Sequence, residues 1–172
     1  LSAKRLRNEY GLITAVLGKY CKRLYLDEIE IPKVQKRIVE LPSVSEVFRI
    51  VKGTDIELPV LLAAWLSFSM SEIRGLTKSK SIHRDYITIE EVVVDVGGTA
   101  ITKSDAKTPT RKRRHRIPAY IKKLIDQVDG DVIVPMSGRA LYHRWTRLQD
   151  ENHMEHITFH DLRHLNASVM AA

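Results

Sequence analysis

Hydrophobic positions change their period several times along the chain, and each change marks a different structural regime. Leu6, Tyr10, Ile13, Val16, Leu17 and Tyr20 recur at helical spacing behind Ser2, so the first two dozen residues predict one amphipathic helix with Ser2 as its N-cap. A lone helix cannot bury its own apolar stripe, so this one calls for a partner, expected in a domain whose earlier part precedes this sequence. From Tyr25 to Pro42 the pattern dissolves into charged residues punctuated by Pro32 and Pro42, which predicts a linker over 26–42 and a domain boundary there.

Beyond the linker the apolar pattern is helical again. LPSVSEVFRIVKG sets Val44, Val47, Phe48 and Ile50 behind Ser43, with Glu46 three residues on, and predicts a short capped helix ended by Gly53. ELPVLLAAWLSFSMSEIRG is apolar almost all round through Leu66 and predicts one buried central helix that stops at Gly75. In DYITIEEVVVDVGGTAITKSDAKT the composition turns to Ile, Val and Thr around Gly97-Gly98, predicting two or three short antiparallel strands. IPAYIKKLIDQV returns to helix, with Pro118 in its first turn and Ile121, Leu124, Ile125 and Val128 on one face. VIVP predicts an extended piece. GRALYHRWTRLQDEN predicts a helix with Leu141, Trp145 and Leu148 turned inward, and a last helix starts at Phe159. The fold class is therefore mainly α with a small antiparallel β-sheet, without internal repeats.

Composition narrows the function. The 172 residues are 44% hydrophobic and 28% charged, enough for one sizeable core plus a further fragment. Twenty-eight Lys and Arg against 21 Asp and Glu give +7, a field that attracts polyanions, nucleic acid first and anionic membrane second. A single cysteine, Cys21, excludes an internal disulfide framework and a thiolate metal site. The apolar run Leu58 to Leu66 is too short to cross a bilayer and the N-terminus lacks a signal peptide's apolar segment, so a cytosolic location is expected. RKRRHR, Arg111 to Arg116, is the densest charge and suits phosphate-backbone contact, a nuclear-localisation signal or plain solvation. Lys78, Ser79 and Lys80 form a weaker patch, and Arg144 and Arg147 lie on the exposed side of their helix, where DNA contact and solvation are equally open.

The densest chemistry is in ITFHDLRHLNASVM. Thr158 and Asp161 make a capping-box variant, Leu162, Leu165 and Val169 form the inward stripe, and His160, Arg163 and Ala167 follow the opposite side with His164 beside them. A cation, an imidazole and the free N–H groups of a helix start suit a phosphate oxyanion. Taken alone, an H-x-x-R on a helix is most often a solvated face. A zinc reading through His160, Asp161 and His164, with His153 or His156 added, is disfavoured because Arg163 would stand between two metal ligands and Asp161 is a methylene shorter than the glutamate such a motif uses. The third reading is a metal-free phosphoryl-transfer site.

ITFHDLRHLNASVM resembles the H-x-x-R segment of the tyrosine recombinases, the phage integrase family, in which HDLRH followed by a small-residue helix is a specific signature. LSAKRLRNEYGLITAVLGKYCKRL is similar to the last helix of that family's N-terminal core-binding domain, ELPVLLAAWLSFSMSEIRGL to the helix holding its first arginine, and AKTPTRKRRHRIP to the segment carrying its lysine. The resemblance implies a core-binding helix over 1–25, the linker, and a catalytic domain over 43–172. It implies a site that breaks and rejoins double-stranded DNA at attachment sites through a 3'-phosphotyrosine, with neither metal nor nucleotide cofactor. Two arginines would hold the non-bridging oxygens of the scissile phosphate, because a planar fork matches two oxygens. Arg163 matches the second of these, His160 the motif histidine that donates to the phosphate or accepts the nucleophile's proton, and Lys107 the lysine that protonates the departing 5' oxygen, with Lys103 as the fallback. Arg111, Lys112, Arg113, Arg114 and Arg116, together with Lys78 and Lys80, would line the DNA backbone. A tetramer on DNA and a cytoplasmic, nucleoid-associated place in a prokaryote, or a phage origin, are likewise implied.

Two departures qualify the resemblance. The family's first arginine lies three residues before the glutamate of SEIRGL, and Ser69 stands there; Arg74 faces differently and does not replace it. The family's nucleophilic tyrosine lies beyond the helix that begins at Phe159, and none of Tyr10, Tyr20, Tyr25, Tyr86, Tyr120 and Tyr142 is at a matching position. The expectation is a chain truncated before the nucleophile that binds DNA without cleaving it. The alternative is a DNA-binding protein of the same fold that is non-catalytic even at full length.

Overall fold

The computed structural model describes residues 2–21, 29–33, 40–104 and 114–171 and divides the chain into two units, 1–39 and 40–172. The first unit holds helix α1 (Ala3–Tyr20), capped where the Ser2 hydroxyl accepts the Arg5 N–H at 3.3 Å. No residue of α1 is buried, and Leu12, Ile13 and Val16 are all at least half exposed. Residues 29–33 and 40–43 are irregular; the rest of the expected linker lies outside the described residues.

In the second unit the order is α2 (Val44–Val51), α3 (Glu57–Leu66), α4 (Met70–Gly75), α5 (Lys78–Ser81), β1 (Ile82–His83), β2 (Tyr86–Thr88), β3 (Glu91–Val96), β4 (Thr99–Ser104), β5 (Arg114–Arg116), α6 (Ala119–Gln127), α7 (Gly138–Glu151) and α8 (Phe159–Ala171). This is the mainly helical α+β class expected from the pattern. Helix α3 is the centre: Leu58, Val60, Leu61, Leu62, Ala63, Ala64 and Leu66 are all buried, as an all-round apolar helix must be. Against it pack α2, α4, α6 and, most extensively, α8. Trp145 of α7 is buried and donates its indole N–H to the Ile157 carbonyl at 2.8 Å, while the buried Gln149 accepts the Ile157 N–H at 2.7 Å. These two bonds fix the turn that delivers the chain into α8.

The single helix predicted from 56 to 75 is in fact two. Ser67 takes a left-handed conformation (φ 56°) that ends α3, and Ser69 starts α4 with a reciprocal capping box to Glu72. Apolar periodicity ran through the break, but the serines at 67, 69 and 71 compete for backbone groups locally and win at that point.

The strands form two small sheets, β1-β2-β5 and the hairpin β3-β4, all antiparallel. Gly97 and Gly98 close the hairpin with φ of 58° and 84°, the two positive angles its two-residue turn requires. The hairpin crosses α4 so closely that a Cβ on Gly75 would collide with the Glu91 carbonyl. Strand β5 sits inside the basic run, which charge alone marked only as solvated or DNA-facing; Arg114 to Arg116 pair with Thr88 to Tyr86. Among the described residues no helix is long and apolar enough to cross a membrane.

Candidate functional site

The start of α8 is built by Thr158 and Asp161. The Thr158 N–H and hydroxyl both donate to the Asp161 carboxylate at 2.7 Å, and the Asp161 N–H returns a bond to the hydroxyl at 3.2 Å. Partial burial opposes the charge on Asp161, yet the Thr158 bonds, with the imidazoles of His160 and His164 adding, hold its carboxyl below the usual range. Phe159, Leu162 and Leu165 are buried, which sets the rotation of the helix; the side chains of Ala167 and Val169 lie outside the described residues. His160 and His164 are consequently exposed, their rings edge-to-face with centroids 4.7 Å apart, and Arg163 is half-buried between the two sides.

One contact ties this helix to the other motif. Asn166 donates its amide N–H to the Trp65 carbonyl at 2.8 Å. That carbonyl belongs to the last turn of α3, where backbone oxygens lack helical partners. The bond therefore pins α8 onto the end of α3, immediately ahead of the segment carrying Ser69. Nothing in the sequence singled out Asn166; its only signal is a place one turn after Arg163.

Ser69 is occupied as a helix cap. Its N–H and hydroxyl donate to the buried Glu72 carboxylate at 2.6 and 2.8 Å, and the hydroxyl accepts the Glu72 N–H at 3.4 Å. Arg74, on the same helix, points its guanidinium into a fork with Asp95 at 2.8 and 2.9 Å, and its side chain is only 7% exposed. The hydrogen bond from Arg74 lowers the Asp95 carboxyl against the opposing effect of desolvation. Arg74 thus fastens β3 to α4.

The remaining basic residues divide sharply. Lys78 donates to the Val128 carbonyl at 2.5 Å and Lys80 pairs with Glu91 at 2.7 Å. Arg144 is paired with Asp55, and Arg147 with Glu151 at 2.7 Å. Arg114 stacks on the Tyr86 ring, 3.8 Å from its centroid, and Arg116 is exposed. Lys103 is exposed on β4 opposite Val92. Lys107, Arg111, Lys112 and Arg113 lie outside the described residues. For the zinc reading, Asp161 is committed to Thr158, and among the described residues no three His, Cys, Asp or Glu side chains converge as a metal site.

This arrangement of α3, α4, the small sheet and α8 matches the fold of solved integrases. The chain is similar to the Tn1549 transposon integrase (residues 82–397) in complex with circular intermediate DNA, with a TM-score of 0.78 at 15% identity over 99% of this chain and 68% of that one. The Y379F form of the same integrase, in complex with transposon right end DNA, superposes with a TM-score of 0.72 at 15% identity over 99% and 67%. A lambda integrase dimer bound to a COC' core site gives 0.58 at 17% identity, over 91% of this chain and 47% of that one. No family model and no curated protein sequence matches the chain.

Proposed function

We propose that this chain is part of a site-specific recombinase that breaks and rejoins duplex DNA through a 3'-phosphotyrosine. The observation that carries this reading is the start of α8, where a capped helix sets His160 and Arg163 outside its buried stripe and Asn166 anchors it beside the Ser69 segment. In the proposed chemistry Arg163 holds a non-bridging oxygen of the scissile phosphate and His160 donates a hydrogen bond to it. A tyrosine outside the six of this sequence attacks phosphorus, its hydroxyl proton passing to His160 or to solvent; the bond from phosphorus to the 5' oxygen breaks, and that oxygen takes its proton from Lys107. The fold and the net charge of +7 support duplex DNA as substrate, and the DNA-bound dimer of the similar lambda integrase supports assembly of more than one copy on that DNA.

The test has two arms. Binding of this chain to a labelled duplex is expected to weaken about ten-fold or more for Arg163→Gln, since a hydrogen bond to a charged group is lost. In the complete reading frame, a nicked duplex is expected to trap a covalent protein–DNA adduct that Arg163→Gln abolishes. The second reading, a DNA binder without chemistry, is favoured by one observation: the position of the family's first arginine holds a serine whose hydroxyl is taken up in a capping box. That reading expects tight binding and no adduct from the complete frame.

A further inference from the structure

The β3-β4 hairpin has no core of its own. Every residue of β4 is exposed, and β3 runs from half-buried over 91–94 to exposed at Asp95 and Val96. A two-stranded ribbon without buried side chains is marginal by itself and free to pivot. Its direction must therefore come from what it is tied to.

Near the turn, the Asp95 carboxylate accepts two guanidinium N–H groups of Arg74 from α4, at 2.8 and 2.9 Å. At the other end Glu91 accepts the Lys80 ammonium at 2.7 Å, and its carbonyl lies where a Cβ on Gly75 would collide. Asp95 pairs with Ala100 and Glu91 with Ser104, so the ribbon is held near both of its ends. Two attachments fix a direction, which one cannot. The Arg74 fork also abuts α7, since a Cβ on Gly138 would stand 3.2 Å from its Nη1. Helix α4 thus aligns the hairpin with α7, whose Trp145 and Gln149 set the turn into α8.

Such pairs do little for stability. Lys80 is 56% exposed, and an exposed ion pair is screened by water, while burying the Arg74 guanidinium costs much of what its pairing returns. What a planar two-bond fork does supply is a fixed distance and angle.

We propose that Arg74 with Asp95, and Lys80 with Glu91, are positioning residues that hold the end of β4 so that Lys107, which follows it, is delivered to the departing 5' oxygen. The proposal rests on the recombinase reading above and gives Lys80 an orienting role in place of backbone contact. Lys107 follows Ser104 by three residues, a tether of at most about 11 Å, so an anchored Ser104 bounds the region that the amine can search. In the step served, the tyrosine oxygen bonds to phosphorus, the bond from phosphorus to the 5' oxygen breaks, and the ammonium gives that oxygen a proton and is left a neutral amine.

Sulfur in place of the bridging 5' oxygen separates placement of the acid from a general loss of activity. A thiol has a pKa of about 8.5, so a thiolate departs without a proton, whereas an alkoxide needs one. Adduct formation by the complete reading frame is followed on duplexes carrying the 5' oxygen or the 5' sulfur. Lys107→Met is expected to slow the oxygen duplex about 100-fold or more and the sulfur duplex hardly at all. Lys80→Gln with Glu91→Gln, and Arg74→Gln with Asp95→Asn, both at unchanged net charge, should slow the oxygen duplex about ten-fold or more and leave the sulfur duplex within about two-fold of the parent. Melting curves show which pair variants fold, and the exposed Lys80 pair keeps the test available should loss of Arg74 unfold the chain. Equal slowing of both duplexes by a folded pair variant, parental rates on oxygen, or a Lys107→Met defect that sulfur does not relieve overturns the positioning role; the recombinase reading then stands, because the parent still forms adduct. A parent that forms no adduct on either duplex overturns both.

Discussion

Ser69 shows how a residue's chemistry can be legible while its job is not. The resemblance to the tyrosine recombinases, aligned on Glu72, located it as a place where that family's pattern has an arginine. The structure adds that its hydroxyl and N–H are both engaged with Glu72. Ser69→Ala should therefore cost about 1 kcal/mol, the usual worth of an N-cap side chain, and lower the melting temperature by about 2–4 °C for a chain of this size. Ser69→Arg loses the same cap and should melt similarly, yet bind duplex DNA more tightly if residue 69 faces the scissile phosphate. Melting curves and anisotropy separate the two effects. An arginine variant with parental or weaker affinity would mean that position 69 does not reach the phosphate. Asn166 is the converse case: its partner is a backbone carbonyl 101 residues away, and no pattern of side chains in the sequence reports on a carbonyl.

At the scale of elements, apolar periodicity located α2, α6, α7 and α8 because each has one inward face that must be covered. It failed at the α3–α4 junction because apolar residues continue on both sides of the break and only the serine chemistry marks it. Ser67 carries the left-handed angle there, a conformation that glycine adopts at no steric cost. Ser67→Gly should thus stabilise the protein by up to about 1 kcal/mol and raise its melting temperature, whereas a β-branched residue at 67 should lower it. Asn166→Ala tests the neighbouring joint. It leaves the Trp65 carbonyl without its protein partner, which should cost about 0.5–1.5 kcal/mol and speed amide exchange around residues 67–70 more than in α6. Uniform exchange across the unit would show that the bond does not hold the junction. Strand β5 was hidden from the sequence for a different reason: three consecutive basic residues have no alternation of polarity, and only pairing with β2 gives them two faces.

Across the whole molecule, carboxylates act as fasteners between elements that are distant in sequence. Asp95 holds β3 to Arg74 of α4, and Asp131 takes the Ser79 N–H and hydroxyl at 2.8 and 2.9 Å, joining the loop after α6 to α5. Asp161 does the same locally at the head of α8. In Asp131 the bond from the Ser79 N–H, then its hydroxyl, outweigh desolvation, and Lys80 and Lys78 add to them, so the carboxyl sits below its ordinary value of 3.8. Asp95 and Asp161 are lowered likewise. The sign follows from proton counts: between the folded and unfolded values the unfolded chain binds more protons, so stability rises with pH. The contribution of each group is complete above its unfolded value and is lost as pH falls through the lower, folded one. The melting temperature should therefore decline as pH drops below about 4, and Asp131→Asn should show a shallower decline than the parent while melting lower near neutrality. Equal acid slopes in variant and parent would remove Asp131 from the set of fasteners.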